Sequence, residues 1–446
     1  MIDNKNIIVG LDIGTTKISV IVAQKDANDD FVILGTGKAP SYGVMRGEVA
    51  NIDKTVTAIT LAVAEAESNS GIEITEVYAG IAGSHIKSMQ HRGILTRENS
   101  QEEITKKDVK RIIRDMHKLA MEPGMQIIHV IPQEYFIDSL PAGNDPVGMC
   151  GSRLEADFHI ITGKTAAAQN IERSITKAGL KMVGLILEPL ASAASALDPQ
   201  EKEAGVVLVD IGGGTTDIAI FYKDVIRHTA VIPFGGNIVT SDIEEGCNIM
   251  NKQAELLKVK FGSALGVDVK ENQIVSIPGV KGRPAKEISV KNLANIINSR
   301  VEEIFEQVYY EIKASGYSKK LRAGIVLTGG GSQLRSIKQL VEYVTGLDAR
   351  IGQPLENLAS GFNPELKNPI FATSLGLLKR AEYEMEEAHE PIKVIPETEI
   401  EIPVMAEEQE EVLIQNKENR PVKNWWKNIV GKFPDWLMDD EDKDYE

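Results

Sequence analysis

One hairpin-like pattern occurs twice, once in each half of the chain. Residues 7–23 read IIVGLDIGTTKISVIVA and residues 206–222 read VVLVDIGGGTTDIAIFY. Each copy is a β-branched apolar run ending in Asp-Ile-Gly, then a glycine- and threonine-bearing turn, then a second strand-like run. The repeat predicts two related halves, each with its own hairpin, and the copies are too far apart for a stacked solenoid. A third glycine turn, Leu327-Thr328-Gly329-Gly330-Gly331-Ser332, follows a strand-like run at 323–327 and precedes a helical pattern at 334–344. Further helical periodicity covers 56–67, 105–120, 166–178, 241–261 and 290–315. Strands alternating with helices predict α/β layers.

The 446 residues exceed what one hydrophobic core supports, so more than one domain is expected. A net charge of −16 opposes general affinity for nucleic acid, and none is expected as a partner. Cys150 and Cys247 form neither a CxxC pair nor a metal spacing with histidine, which fits a reducing compartment. No apolar run reaches the roughly 20 residues that span a bilayer. The opening Met1-Ile2-Asp3-Asn4-Lys5 lacks the layout of a signal peptide. The expected setting is therefore cytoplasmic, with any membrane contact made from inside.

The repeated turns have the chemistry of phosphate cradles. A turn between strands presents successive backbone N–H groups to an anion. Gly14, Gly212, Gly213 and Gly214 lack the Cβ that would hold a phosphate off the backbone. Thr15, Thr16, Thr215 and Thr216 add hydroxyls, and Lys17 adds a cation. Asp12 and Asp210 end their strands just before the turns, where a bare carboxylate would repel phosphate. A magnesium ion between them, held mainly through water, removes the conflict. No GxxxxGK[ST] loop occurs, and these turns lead into strands rather than helices, against a dinucleotide Rossmann fold.

These residues resemble the phosphate motifs of the actin, Hsp70 and sugar-kinase superfamily. Residues 327–332 are similar to its adenosine motif, Glu188-Pro189-Leu190-Ala191-Ser192-Ala193 to its first connecting segment, and ATSLGLL at 372–378 to its second. The resemblance implies a two-lobed α/β fold of duplicated β-rich halves around ATP and Mg2+. It also implies that Asp12 and Asp210 act on the magnesium and its waters, and that Glu188 orients the attacking water. Glu255 and Lys258 would lie near the ribose and base, Gly235 and Gly236 would face the nucleotide, and Gly329, Gly330, Gly331 and Ser332 would flank the adenosine. Hydrolysis is expected to be weak or slow.

Within the superfamily the chain resembles the FtsA family of bacterial cell-division proteins. Pro132-Gln133-Glu134-Tyr135, Gly151-Ser152-Arg153-Leu154-Glu155 and Ile232-Pro233-Phe234-Gly235-Gly236 are similar to segments of that family. Residues 85–162 would form its characteristic subdomain 1C. Subdomain 1A would take 1–84, 163–195 and 361–381; subdomain 2A would take 196–240 and 317–360; subdomain 2B would take 241–316. The likeness implies head-to-tail self-assembly, contact of 2B with the C-terminal tail of FtsZ, and recruitment of later division proteins through 1C. Arg300 is the candidate for meeting the acidic tail, or else an internal partner of Glu303.

Glutamate and proline dominate 382–421, which reads as a disordered acidic linker. Residues 422–438 then read VKNWWKNIVGKFPDWLM. At 100° per residue, Trp425, Trp426, Ile429, Val430, Phe433, Trp436 and Leu437 fall within about 140° of arc. Lys423, Lys427 and Lys432 lie outside that stripe. The pattern predicts an amphipathic helix resting in anionic membrane lipid, with Lys427 among the contacts and Pro434 as a kink. Residues 439–446 form an acidic tail. The alternatives are a small-molecule kinase of the same superfold or a pilus-assembly relative, which the tryptophan segment does not suit. An Hsp70-type chaperone would need a peptide-binding β-domain that 382–446 is too short to supply.

Overall fold

The structure, a computed structural model, describes residues 7–26, 30–279, 284–354 and 363–388. The segments 389–421, 422–438 and 439–446, with the tryptophan-bearing stripe, lie outside the described residues.

Two five-stranded sheets express the sequence repeat. The first runs Lys181–Leu187, Glu76–Ile81, Ile7–Ile13, Lys17–Lys25, Phe31–Pro40. The second runs Ala349–Ile351, Ile325–Thr328, Val206–Ile211, Thr216–Tyr222, Val225–Ile232. In each, three strands pair antiparallel through the hairpin and two more join in parallel. Parallel neighbours need a long crossover, and helices such as Ile52–Ser70 and Ile337–Thr345 supply it. The hairpin registers also correspond: Asp12 lies opposite Ser19, and Asp210 lies opposite Asp217. The β-branched runs suit central strands covered on both faces, and every residue of Val206–Ile211 is buried.

Apolar packing joins and then thickens these sheets. One cluster takes Val9, Leu11 and Val20 from the first together with Leu208, Ala219 and Val326 from the second. The other face of the second sheet packs on helix Val290–Ala314 through Ile297 and Phe305. The other face of the first packs on the final helix, Ala372–Ala388, through Ile8, Ile21, Leu377 and Leu378. That helix crosses the connecting helix Glu188–Ala196 so closely that a Cβ on Gly376 would lie 1.7 Å from the Ala191 carbonyl oxygen.

Between Glu76–Ile81 and Lys181–Leu187 the chain leaves to build a separate antiparallel sheet of Lys87–Thr96, Arg153–Lys164, Met125–Ile137 and Leu140–Gly143. Helix Lys106–Met116, opened by a Thr105–Asp108 capping box, helps close a core of its own with Leu95, Ile112, Met116, Leu154 and Phe158. The second lobe carries helices Gly236–Cys247 and Asn251–Phe261 and a short hairpin, Ile274–Ile277 with Lys286–Ser289. The helical periodicity over 241–261 therefore spans two helices. Asn248 ends the first at φ 47°, a left-handed cap that apolar spacing does not reveal.

Candidate functional site

The two hairpin turns meet. A Cβ on Gly213 would come within 2.3 Å of Thr16 Cγ2, and one on Gly214 within 2.6 Å of Thr15 Oγ1. They border a cleft of about 590 Å³ lined from both sheets. The start of helix Gly236–Cys247 seats the second turn: the Gly236 N–H donates to Gly212 O (2.9 Å) and the Asn237 N–H to Gly213 O (2.8 Å). Gly235 must be small there, because a Cβ would lie 2.6 Å from Gly212 O. The Thr15 hydroxyl accepts from the Gly47 N–H (3.1 Å), which fastens the first turn to a neighbouring loop.

Four carboxyls converge at this end. Asp12 accepts from Ser374 Oγ (3.0 Å), with Lys17 Nζ 3.9 Å away. Lys17 also donates to the Ile370 carbonyl (2.6 Å). Asp210 accepts from Ser192 Oγ (2.6 Å) and Thr373 Oγ1 (3.2 Å). Asp217 accepts from Thr215 Oγ1 (3.0 Å), and its Oδ1 is buried without a partner. Glu188 opens the helix Glu188–Ala196, with Pro189 following in its first turn.

Burial, reinforced by neighbouring acids, holds Glu188 well above the usual carboxylate range and pushes Asp217 up to about 8. Asp12 and Asp210 are raised mainly by burial, against the pull of Lys17 and their hydroxyl donors. Burial lowers Lys17, with Asp12 and Asp210 opposing. With one lysine among four buried acids, full ionisation is costly and protons are retained; a divalent cation accompanied by phosphate would relieve that cost. Among the described residues, no three acidic, histidine or cysteine side chains are placed to chelate a metal alone. A cation here would draw its remaining oxygens from phosphate or water.

The third glycine turn also borders the cleft. Gly329 sits at φ 79°, and its Cβ would strike Asp210 Oδ1 at 2.2 Å, so glycine is required there on both counts. Lys258 donates to Gly236 O (2.8 Å) and Thr240 Oγ1 (2.7 Å) and pairs with Glu255 (2.7 Å), and both charged side chains line the cleft. Val301, Ile304, Phe305 and Leu334 add an apolar part to its lining.

Of the cleft residues expected from sequence, Asp12, Gly14, Thr15, Thr16, Lys17, Glu188, Asp210, Gly212, Gly213, Gly214, Thr215, Gly235, Gly236, Glu255, Lys258, Gly329, Gly330 and Gly331 all border the cavity. Thr216 and Ser332 do not. They are buried and brace the turns, donating to Phe234 O (2.8 Å) and Gly329 O (2.7 Å). Asp217, Asn237, Arg335 and Thr373 line the cleft without having been singled out. Asp217 and Thr373 stand in the second hairpin and in the ATSLGLL segment, but nothing in either pattern marks them as cleft residues. Arg300 is elsewhere, gripped by Asp242 from the neighbouring helix and by Glu303 on its own. Trp425, Trp426, Lys427, Ile429, Val430, Phe433, Trp436 and Leu437 lie outside the described residues. Among the described residues, no helix is long and apolar enough to cross a membrane.

Solved structures of similar shape establish the fold. A PilM–PilN type IV pilus biogenesis complex matches at TM-score 0.61 and 17% identity, over 84% of this chain and 98% of that one. MreB5 of Spiroplasma citri bound to ADP matches at TM-score 0.51 and 15% identity, over 87% and 100%. The duplicated sheets, shared cleft and these neighbours define the two-lobed actin-like ATPase fold.

Sequence relatives narrow this class. The family model described as "Cell division protein FtsA" matches residues 207–376, and "SHS2 domain inserted in FTSA" matches residues 83–162, the inserted sheet. The chain is 39% identical to cell division protein FtsA of Pseudomonas aeruginosa, over 84% of this chain and 89% of the relative. Its identity to the Neisseria meningitidis protein of that name is 40%, over 83% and 89%. The chain belongs to the FtsA family of cell division proteins.

Proposed function

We propose that the cleft binds ATP with magnesium, and that nucleotide-dependent self-assembly lets the protein anchor the FtsZ ring to the inner face of the cytoplasmic membrane. The observation that carries the nucleotide reading is the contact of two glycine-threonine turns, from duplicated sheets, beside four buried carboxyl groups. The MreB5 neighbours solved with ADP and with AMPPNP support it. The turns would take the phosphates, the lining at Glu255, Lys258 and Gly329 the nucleoside. Asp12 and Asp210 would hold the cation through water, and Glu188 would orient the attacking water. Magnesium, when bound, would neutralise phosphate charge. Subdivision of the lobes follows the boundaries given above, with 85–162 meeting later division proteins and 241–316 meeting the FtsZ tail. Arg300 would have to engage that tail in competition with Asp242 and Glu303.

The membrane reading rests on the tryptophan- and lysine-bearing stripe at 422–438, whose single-helix affinity is modest until many copies act together. Calorimetric titration with ATP and magnesium is expected to show binding that Asp210→Ala weakens by about tenfold or more, since it removes a cation-facing carboxylate. Unaltered affinity would remove Asp210 from the site. Full-length protein is expected to co-sediment with anionic liposomes, and a chain ending at residue 421 to stay in the supernatant while still binding ATP. Equal sedimentation of the two would refute the membrane role.

A further inference from the structure

The inserted sheet reaches the first lobe through a side chain that nothing in the nucleotide reading uses. His129 stands on strand Met125–Ile137 of that sheet, opposite Ile161. Its Nε2 accepts from the Leu187 backbone N–H at 3.0 Å. Leu187 ends a strand of the first sheet and is the N-cap residue of the helix that Glu188 opens, and it has no side-chain cap bond of its own. One hydrogen bond from a separate subdomain thus grips the residue immediately before the cleft's buried glutamate.

We propose that His129 is a positioning residue, which holds Glu188 in line through Leu187 and so ties the seating of the inserted sheet to the chemistry of the cleft. This rests on the reading of Glu188 as the water-orienting acid.

The bond fixes the state of the ring. Nε2 is the acceptor, so the proton sits on Nδ1 and the imidazole is neutral. Its surroundings maintain that form: burial, then Arg380 of the final helix and His117 past the end of helix Lys106–Met116, lower its pKa to about 3. It therefore stays an acceptor throughout the physiological range.

The inserted sheet is also fastened to the second lobe, so its seating is felt from two sides. His159 meets Thr229 Oγ1 (3.2 Å) and Gln90 (3.0 Å), and Ser88 Oγ donates to Thr229 O (3.4 Å). A partner that shifts this sheet would pull on Leu187. Displacement of a water-orienting group by a fraction of an ångström lowers turnover while leaving ligand contacts in place.

The test uses the full chain with His129→Leu, which removes the acceptor, and His129→Gln, which restores an oxygen at similar reach. Three readouts are ATP affinity, phosphate release at saturating ATP, and hydrogen exchange in the peptide spanning Leu187 and Glu188. The Leu variant is expected to keep its ATP affinity, to lose about tenfold in phosphate release, and to exchange faster at Leu187. The Gln variant is expected to recover most of both. Equal exchange and turnover in the wild type and the Leu variant would overturn the proposal, as would equal losses in Leu and Gln. A wild type that binds no ATP would defeat the nucleotide reading instead. One that binds without measurable turnover would defeat the role given to Glu188, and with it this proposal. The exchange comparison separately tests the hydrogen bond.

Discussion

Asp217 faces Asp210 across the second hairpin, and burial with that neighbour pushes its carboxyl up to about 8. The folded value lies above the ordinary carboxylate value, so the native state keeps a proton that the unfolded chain has released. The stability this contributes is fully present below about pH 4 and is lost as pH rises through about 8. Melting midpoints of nucleotide-free protein are expected to fall between about pH 5 and pH 8, and Asp217→Asn to flatten part of that fall. A slope identical to wild type would acquit Asp217. Its chemistry was hard to read from the sequence because Thr-Asp after a glycine turn looks like ordinary hairpin ending. What sets Asp217 apart is the cross-strand partner and the orphaned Oδ1, and both need the register. Asp12 and Asp210 were legible because a carboxylate just before a phosphate-type turn is anomalous in itself. Ser192, Thr373 and Ser374, which steady those acids, reach them from segments remote in sequence, and spacing along the chain cannot show such a meeting.

At the scale of elements, the crossing of Glu188–Ala196 with Ala372–Ala388 is the tightest helix contact that bears on the site. Gly376→Ala gains a little helix propensity but forces a methyl into the Ala191 backbone, 1.7 Å from its oxygen. The net expectation is a loss of about 1–3 kcal/mol in urea unfolding, the usual cost of overpacking. Because the displaced helix begins at Glu188, ATP turnover should fall with it; an undisturbed urea midpoint would mean the helices separate freely. The two hairpins and the long helix Val290–Ala314 were readable from alternation and periodicity. The break at Asn248 was not, since apolar spacing continues across it and only a left-handed φ ends the helix. Glu188 as a helix start had a local signal in the proline that follows it.

For the whole molecule, duplication was visible in the two Asp-Ile-Gly hairpins, while the identical strand order of the two sheets came only with the structure. A ligand touching both lobes binds the folded chain alone, so it stabilises by mass action. ATP with magnesium at about a hundred times its Kd should add about 2.7 kcal/mol, seen as a raised melting midpoint. Asp210→Ala, with its affinity down about tenfold, should cut that gain to about half at the same ATP concentration. A midpoint indifferent to ATP in the wild type would argue against a shared site.

The contact of Gly213 with Thr16 leaves less room than a single methyl group. The lobes are therefore packed tightly along that seam, where the Thr16 side chain meets the Gly213 backbone, and any swing between them would begin by parting it. On the nucleotide reading, a triphosphate beside that seam would be held by both lobes at once, and its departure would wait on their parting.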